Sequence, residues 1–125
     1  MNRAFVIIWM LFFHIVDDYV LQAPCLSSLK QRFWWQNNAP EEKYKHDYIW
    51  ALIMHSFSWA FMIMLPIAYF VSFDIHYGFV IMIAFNTAIH AFTDHAKANW
   101  KLINLWQDQL IHMAQIFITA GLLFV

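Results

Sequence analysis

One imidazole–carboxylate pairing recurs three times in this sequence at a single spacing. His14 and Asp18 are four residues apart, His90 and Asp94 are four apart, and Asp108 and His112 repeat the pair in reverse order. Residues four apart lie one above the other on a helix face, so each pair can offer an imidazole and a carboxylate to a common point. His55 adds a fourth imidazole, Gln22 extends the face of the first pair, Lys97 follows Asp94 by one turn, and Gln109 adjoins Asp108. Imidazole with carboxylate is a donor set for zinc, manganese or iron. The expected metal ligands are therefore His14, Asp18, His55, His90, Asp94, Asp108 and His112. They suffice for one or two divalent ions, with zinc the first choice. Gln22 and Gln109 would orient ligands from behind, and Asp108 is either a ligand or a general base. Lys97 would hold an anionic group or reach to the interface. A single such pair reads more simply as a hydrogen bond gluing two helices together. The repetition favours a site.

The segments that must position these residues are strongly apolar. Hydrophobic residues make up 62% of the chain and charged residues 12%, whereas a soluble domain is closer to half apolar and a quarter charged. A chain of 125 residues cannot hide that excess within itself, and lipid is the natural place for it. With two glycines and three prolines there are few turns, which favours long helices over barrel strands. The expectation is an all-α polytopic transmembrane bundle, one membrane domain with four spans at about residues 3–22, 46–73, 76–99 and 105–125. Each is long enough to cross about 30 Å of hydrocarbon at about 1.5 Å per residue. Residues 23–45 read as a polar loop, with residues 26–35 suited to a short helix on the membrane surface and Trp34 and Trp35 at headgroup depth. Pro66 falls inside the second span and is expected to kink it. Arg3 followed by an apolar run imitates a signal peptide, but no small-residue cleavage pattern precedes Asp17 and Asp18, so a retained helix is expected.

Depth strengthens the chemical reading. His14 with Asp18 and His90 with Asp94 fall near the ends of spans one and three, and His55, Asp108 and His112 fall near the starts of spans two and four. An up-down-up-down bundle brings all of these places to one side, so four histidines and three aspartates share a layer. Basic residues mark that side: Lys30, Arg32, Lys43, Lys45, Lys97 and Lys101 lie in the connecting segments, against Arg3 alone on the other side. The positive-inside rule then puts the basic loops in the cytoplasm and both termini outside.

Other polar residues carry less. Asp17, His46, Asp47, His76 and His95 sit at span ends or beside a stronger candidate and are expected to be interfacial or outward-facing. Asn86, one turn before His90, reads as packing or support. Cys25 is alone, which excludes an intrachain disulfide, and a pI near 6.6 gives no support for nucleic-acid binding.

The ordered set His14-xxx-Asp18-Tyr-Val-Leu-Gln22, His55, His90-xxx-Asp94-xx-Lys97 and Asp108-Gln109-xx-His112 resembles a family of small bacterial and phage membrane proteins catalogued as domain of unknown function, number 3307. The resemblance covers essentially the whole chain. Tyr19 stands where that family's first motif usually has phenylalanine, and the loop after span one is idiosyncratic, so nothing carries over to it. The family supplies no activity. By looser analogy the motifs look like those of small inner-membrane metal-dependent hydrolases.

The leading expectation is a hydrolase at the cytoplasmic membrane face that uses a metal-activated water on a phosphoester or diphosphate of a lipid or similar anionic substrate. Two other classes stand beside it. One is a structural or interaction protein whose His/Asp layer glues helices or holds a fixed ion. The other is a proton or metal-ion transporter working as a homo-oligomer, which the one-sided clustering of polar residues argues against.

Overall fold

The structure is a computed structural model that describes residues 1–124, and the side chain of Ala23 is outside the description. It is all-helical, with no strand among the described residues. Helix α1 spans Arg3–Val16 and passes directly into a π-helical turn, Asp17–Leu21. Two short helices follow, α2 at Ala23–Leu29 and α3 at Arg32–Asn38, then a 3-10 turn at Glu42–Tyr44. The long helices α4 (Asp47–Phe70), α5 (Tyr77–Ala98) and α6 (Leu105–Leu123) complete the chain. Val125, the last residue of the expected fourth span, lies outside the described residues. The expected polar loop is largely helical, and the expected surface helix is split in two at Lys30 and Gln31. Helix α4 runs unbroken through the buried Pro66.

Local chemistry sets the helix ends. Asn2 caps α1 by accepting from the Ala4 amide at 2.8 Å. At the start of α6, Asn104 and Gln107 form a reciprocal capping box, each side chain accepting from the other's backbone amide. That cap fixes the register that turns Asp108 and His112 inward. Helix α4 stops where Ser72 and Phe73 take left-handed backbone angles and the Phe73 amide donates to Ala68 O at 2.7 Å, a Schellman-type closure made without glycine.

Helices α1, α4, α5 and α6 close into a four-membered ring, with α4 against α5 the most extensive pairing and α1 against α6 a shorter one. One half of its interior is apolar, built from Val6, Met10, Trp59, Ile63, Met64, Ile67, Ile116 and Ala120. The other half is polar: His14, Asp17, Lys30, His55, His90, Asp94, Asp108 and His112 are all buried. The outside is the reverse, with Phe12, Ile53, Phe57, Ile81, Phe85, Leu110, Phe117 and Ile118 exposed. Among the described residues, the segments Arg3–Leu21 and Glu42–Phe70 are long and apolar enough to cross a membrane. Helices α5 and α6, of 22 and 19 residues, are as long as the first of these or longer, but their inward faces carry more polar groups.

Candidate metal centre

The C-terminal end of α1, the N-terminal part of α4, the C-terminal part of α5 and the start of α6 meet in one layer, which requires neighbouring long helices to alternate in direction. The structure brings the seven expected ligands into that layer. Within it, two groups of side chains hold potential ligand atoms within 4.8 Å of one another: Asp18, His55 and His90, and His90, Asp94 and His112. His90 belongs to both. His55 Nε2 lies 3.3 Å from Asp18 Oδ1, 3.5 Å from Asp94 Oδ2 and 3.1 Å from His90 Nε2. His90 Nε2 lies 3.6 Å from Asp94 Oδ2 and 3.9 Å from Asp18 Oδ1. His112 Nε2 lies 3.6 Å from Asp94 Oδ1 and 3.3 Å from Asp108 Oδ1.

These separations are informative. Charge-assisted nitrogen–oxygen hydrogen bonds settle at about 2.7–2.9 Å. A tetrahedral ion with arms of about 2.0–2.1 Å keeps its ligand atoms about 3.3–3.4 Å apart. The imidazole nitrogens and carboxylate oxygens are therefore spaced nearer to the edges of a coordination shell than to paired hydrogen bonds. Orphaned atoms at the centre point the same way: Asp18 Oδ1, Asp108 Oδ1 and His112 Nε2 are buried with no hydrogen-bond partner among the described residues, as are Asp17 Oδ2 and His90 Nδ1 behind it. Each unsatisfied buried polar atom costs about 1–3 kcal/mol.

Hydrogen bonding from behind settles which nitrogens face the centre. Gln115 donates its amide to Asn86 O and Oδ1, at 3.2 and 3.1 Å. Its remaining oxygen therefore faces His112 Nδ1, at 3.2 Å. That nitrogen must carry the proton, so His112 Nε2 turns a lone pair toward the carboxylates of Asp94 and Asp108. Only a cation, a proton or a metal ion, reconciles them. Behind His55 stands Asp17, fixed by the Ser58 hydroxyl at 2.6 Å, with its Oδ2 3.6 Å from His55 Nδ1 and just beyond hydrogen-bond distance. Carboxylates behind histidine ligands are the usual outer support of metal sites.

His14 stands beside the ligand atoms and not among them. Its Nδ1 accepts from Trp59 Nε1 at 2.8 Å, and its Nε2 faces Gln109 Oε1 at 3.0 Å, so both ring nitrogens are engaged. It belongs to neither ligand group. Gln109 bridges His14, Asp18 and Asp108. Asp108 has Oδ2 bound by Lys97 at 2.9 Å and Gln109 at 3.0 Å, which leaves Oδ1 facing His112. Gln22 accepts from Lys30 at 2.5 Å, and Lys30 donates to Asp94 Oδ2 at 2.6 Å.

Two positions, Asp17 and Lys30, correct the reading from sequence, and a third, Trp59, adds to it. Asp17, expected at the interface or facing outward, is buried at 1% exposure. The π turn that begins at Asp17 changes the helical register, so Asp17 and Asp18 both reach the interior. Such turns recur at functional sites. Lys30, expected in a solvated loop, is 4% exposed. The break between α2 and α3 is braced by Asn99, which donates to Lys30 O and accepts from the Arg32 amide, and by Trp35 Nε1 on Leu29 O. The lysine side chain drops into the bundle from there. Trp59 lies flat against His90, with ring centroids 4.3 Å apart, and closes the floor of the layer. Helical spacing could have found Trp59, four residues after His55, and Gln115, three after His112. Of the other polar residues, His76 is exposed, whereas His95 is half-buried between Tyr48 and Trp100.

Charge gives a further test of fit. Of the four buried carboxylates, Asp94 pairs with Lys30 and Asp108 with Lys97, so with neutral imidazoles Asp17 and Asp18 leave the layer two negative charges, the complement of one divalent cation. A cleft of about 240 Å³ reaches this layer, lined by Asp18, Gln22, Asp94, Lys97 and Gln109 together with Tyr19, Ser27 and Leu105. The buried His/Asp groups can hold a metal ion, and the cleft makes them accessible. No family model, curated protein or solved structure matches the chain.

Proposed function

We propose that the chain is a four-span membrane protein and a metal-dependent hydrolase of phosphoesters or diphosphates carried on a lipid or a similar anionic molecule. The observation that carries this reading is the cleft that leads onto the His/Asp layer, whose nitrogen and oxygen atoms stand at coordination spacing. The inverted distribution of polarity, apolar outside and ionisable inside, supports all four long helices as spans. The basic residues left on the outside of the layer, Arg32, Lys43, Lys45 and Lys101, support a cytoplasmic location for it, with both termini outside. The order of the motifs supports kinship with the small membrane proteins they resemble.

Zinc suits the donor set of His55, His90, His112, Asp18 and Asp94. When bound, such an ion supplies Lewis-acid polarisation and lowers the pKa of water. The chain's own groups do the rest. Lys97, 30% exposed at the cleft, binds the anionic phosphoryl group. Asp108 Oδ1, free of hydrogen bonds, accepts a proton from the attacking water. The water oxygen bonds to phosphorus, the phosphorus–oxygen bond to the alcohol or phosphate leaving group breaks, and the proton passes to that leaving group. The apolar floor below Trp59 keeps bulk water from the far side.

Metal content of the detergent-purified wild type beside His90→Ala tests the reading. A stoichiometric metal, lost in the variant, is expected, followed by release of phosphate from phosphoester lipids. Metal-free, folded wild-type protein sinks it. A second reading has its own observation: Lys30 and Lys97 already neutralise half of the carboxylates through short hydrogen bonds. That arrangement suits a purely structural polar core, and metal-free protein moves the weight there.

A further inference from the structure

An apolar groove of about 850 Å³ lies between α1 and α6, walled by Leu11, Ile15, Trp106 and Met113. It sits within the roughly 300–1,000 Å³ of ordinary ligand sites. Its position is its main feature. Tyr19, Leu105 and Gln109 line both this groove and the polar cleft over the His/Asp layer. The two are therefore successive parts of one passage. Polarity changes sharply along it, from aliphatic and indole side chains to Lys97, Asp94 and Asp18.

A passage that is apolar at one end and carries an ammonium group at the other matches an amphiphile with an anionic head. We propose that the α1–α6 groove binds the alkyl chain of a phosphate-headed lipid drawn sideways from the bilayer, with its head in the cleft beside Lys97. This rests on the hydrolase reading for the identity of the cleft. It adds the site of the chain and the route of approach. The geometry explains why α1 and α6 meet over a shorter stretch than α4 and α5: a gap there joins the lipid-facing surface to the polar layer. Ile15 is the residue that decides chain binding, because it lies on the groove wall, is half-exposed, and takes no part in the hydrogen-bonding network of the layer.

The test uses the full chain in nanodiscs of phosphatidylcholine. The probe is dodecyl phosphate with a photoreactive diazirine at the far end of its chain, and labelled residues are mapped by mass spectrometry. Labelling is expected at Leu11, Ile15 and Met113, with competition at least tenfold better by dodecyl phosphate than by butyl phosphate. Dodecanol carrying the same diazirine is expected to spread over all lipid-facing helices. Ile15→Trp, which fills the groove, reduces specific labelling at least tenfold, whereas Ile15→Leu labels like the wild type. Even labelling of all helices by the phosphate probe, or undiminished labelling of Ile15→Trp, overturns the groove. Failure of the hydrolase reading looks different: metal-free protein with groove labelling intact sinks the hydrolysis and leaves the groove standing. Phosphate release from butyl phosphate with even labelling does the opposite.

Discussion

His55 and His90 present their Nε2 atoms to each other at 3.1 Å, each within 4 Å of carboxylate oxygens from both Asp18 and Asp94. Two imidazoles facing in this way share either a proton or a cation. The residues behind them decide how firmly they wait for it, and the predictions below separate the ligands from their supports.

Asp17 stands 3.6 Å behind His55 Nδ1 and belongs to neither ligand group. Asp17→Asn is expected to weaken metal affinity about 10- to 100-fold, the usual effect of losing an outer carboxylate, with unchanged stoichiometry at saturating metal. Titration with zinc against a competing chelator measures it. Loss of stoichiometry instead would make Asp17 a ligand.

His14 is predicted to behave as a support, although its motif made it a candidate ligand. In His14→Phe the full complement of metal is expected to remain, while His90→Ala loses it. The variant gives up the hydrogen bond from Trp59, which costs about 1–3 kcal/mol if the indole N–H stays unpaired. Elemental analysis and thermal unfolding of the same samples check both halves.

Lys30 neutralises Asp94 deep in the bundle. Lys30→Met removes one partner of a buried pair, a change that typically destabilises by about 3–5 kcal/mol. Added zinc is expected to restore much of that loss, since the ion supplies the missing positive charge. Thermal unfolding with and without zinc reads the difference. Equal destabilisation in both conditions argues against an ion beside Asp94.

Lys97 lies at the cleft and holds Asp108 from outside the two ligand groups. Lys97→Gln is expected to retain the metal and to raise KM for a phosphoester lipid about tenfold or more, with a smaller change in kcat. Steady-state kinetics on lipid substrates in mixed micelles decides. A variant that loses metal instead gives Lys97 a structural role.

Much of the candidate site was legible in the sequence because its residues obey helical periodicity. His14 with Asp18, His90 with Asp94 and Asp108 with His112 each follow the four-residue stagger, and alternation of helix direction brings them to one depth. Asp17 escaped because its inward turn depends on a π-helical register that no simple periodicity encodes. Lys30 escaped because its placement depends on tertiary bracing by Asn99 and Trp35 around a break between two short helices. Helix existence was readable throughout the long elements. Arg3–Leu21 and Glu42–Phe70 are long and apolar enough to cross a membrane, whereas in α5 and α6 the same inward histidines, aspartates and glutamines that build the centre dilute the apolar signal.

Trp59 gives the molecule a direction. With the indole flat beneath His90 and an aliphatic plug behind it, the polar layer is a cup and not a tube. An ion held there would exchange through the open face alone; for the four-span orientation proposed above, a membrane-impermeant chelator added to sealed vesicles would empty the cup only from that face, and the sidedness of the loss would test the orientation.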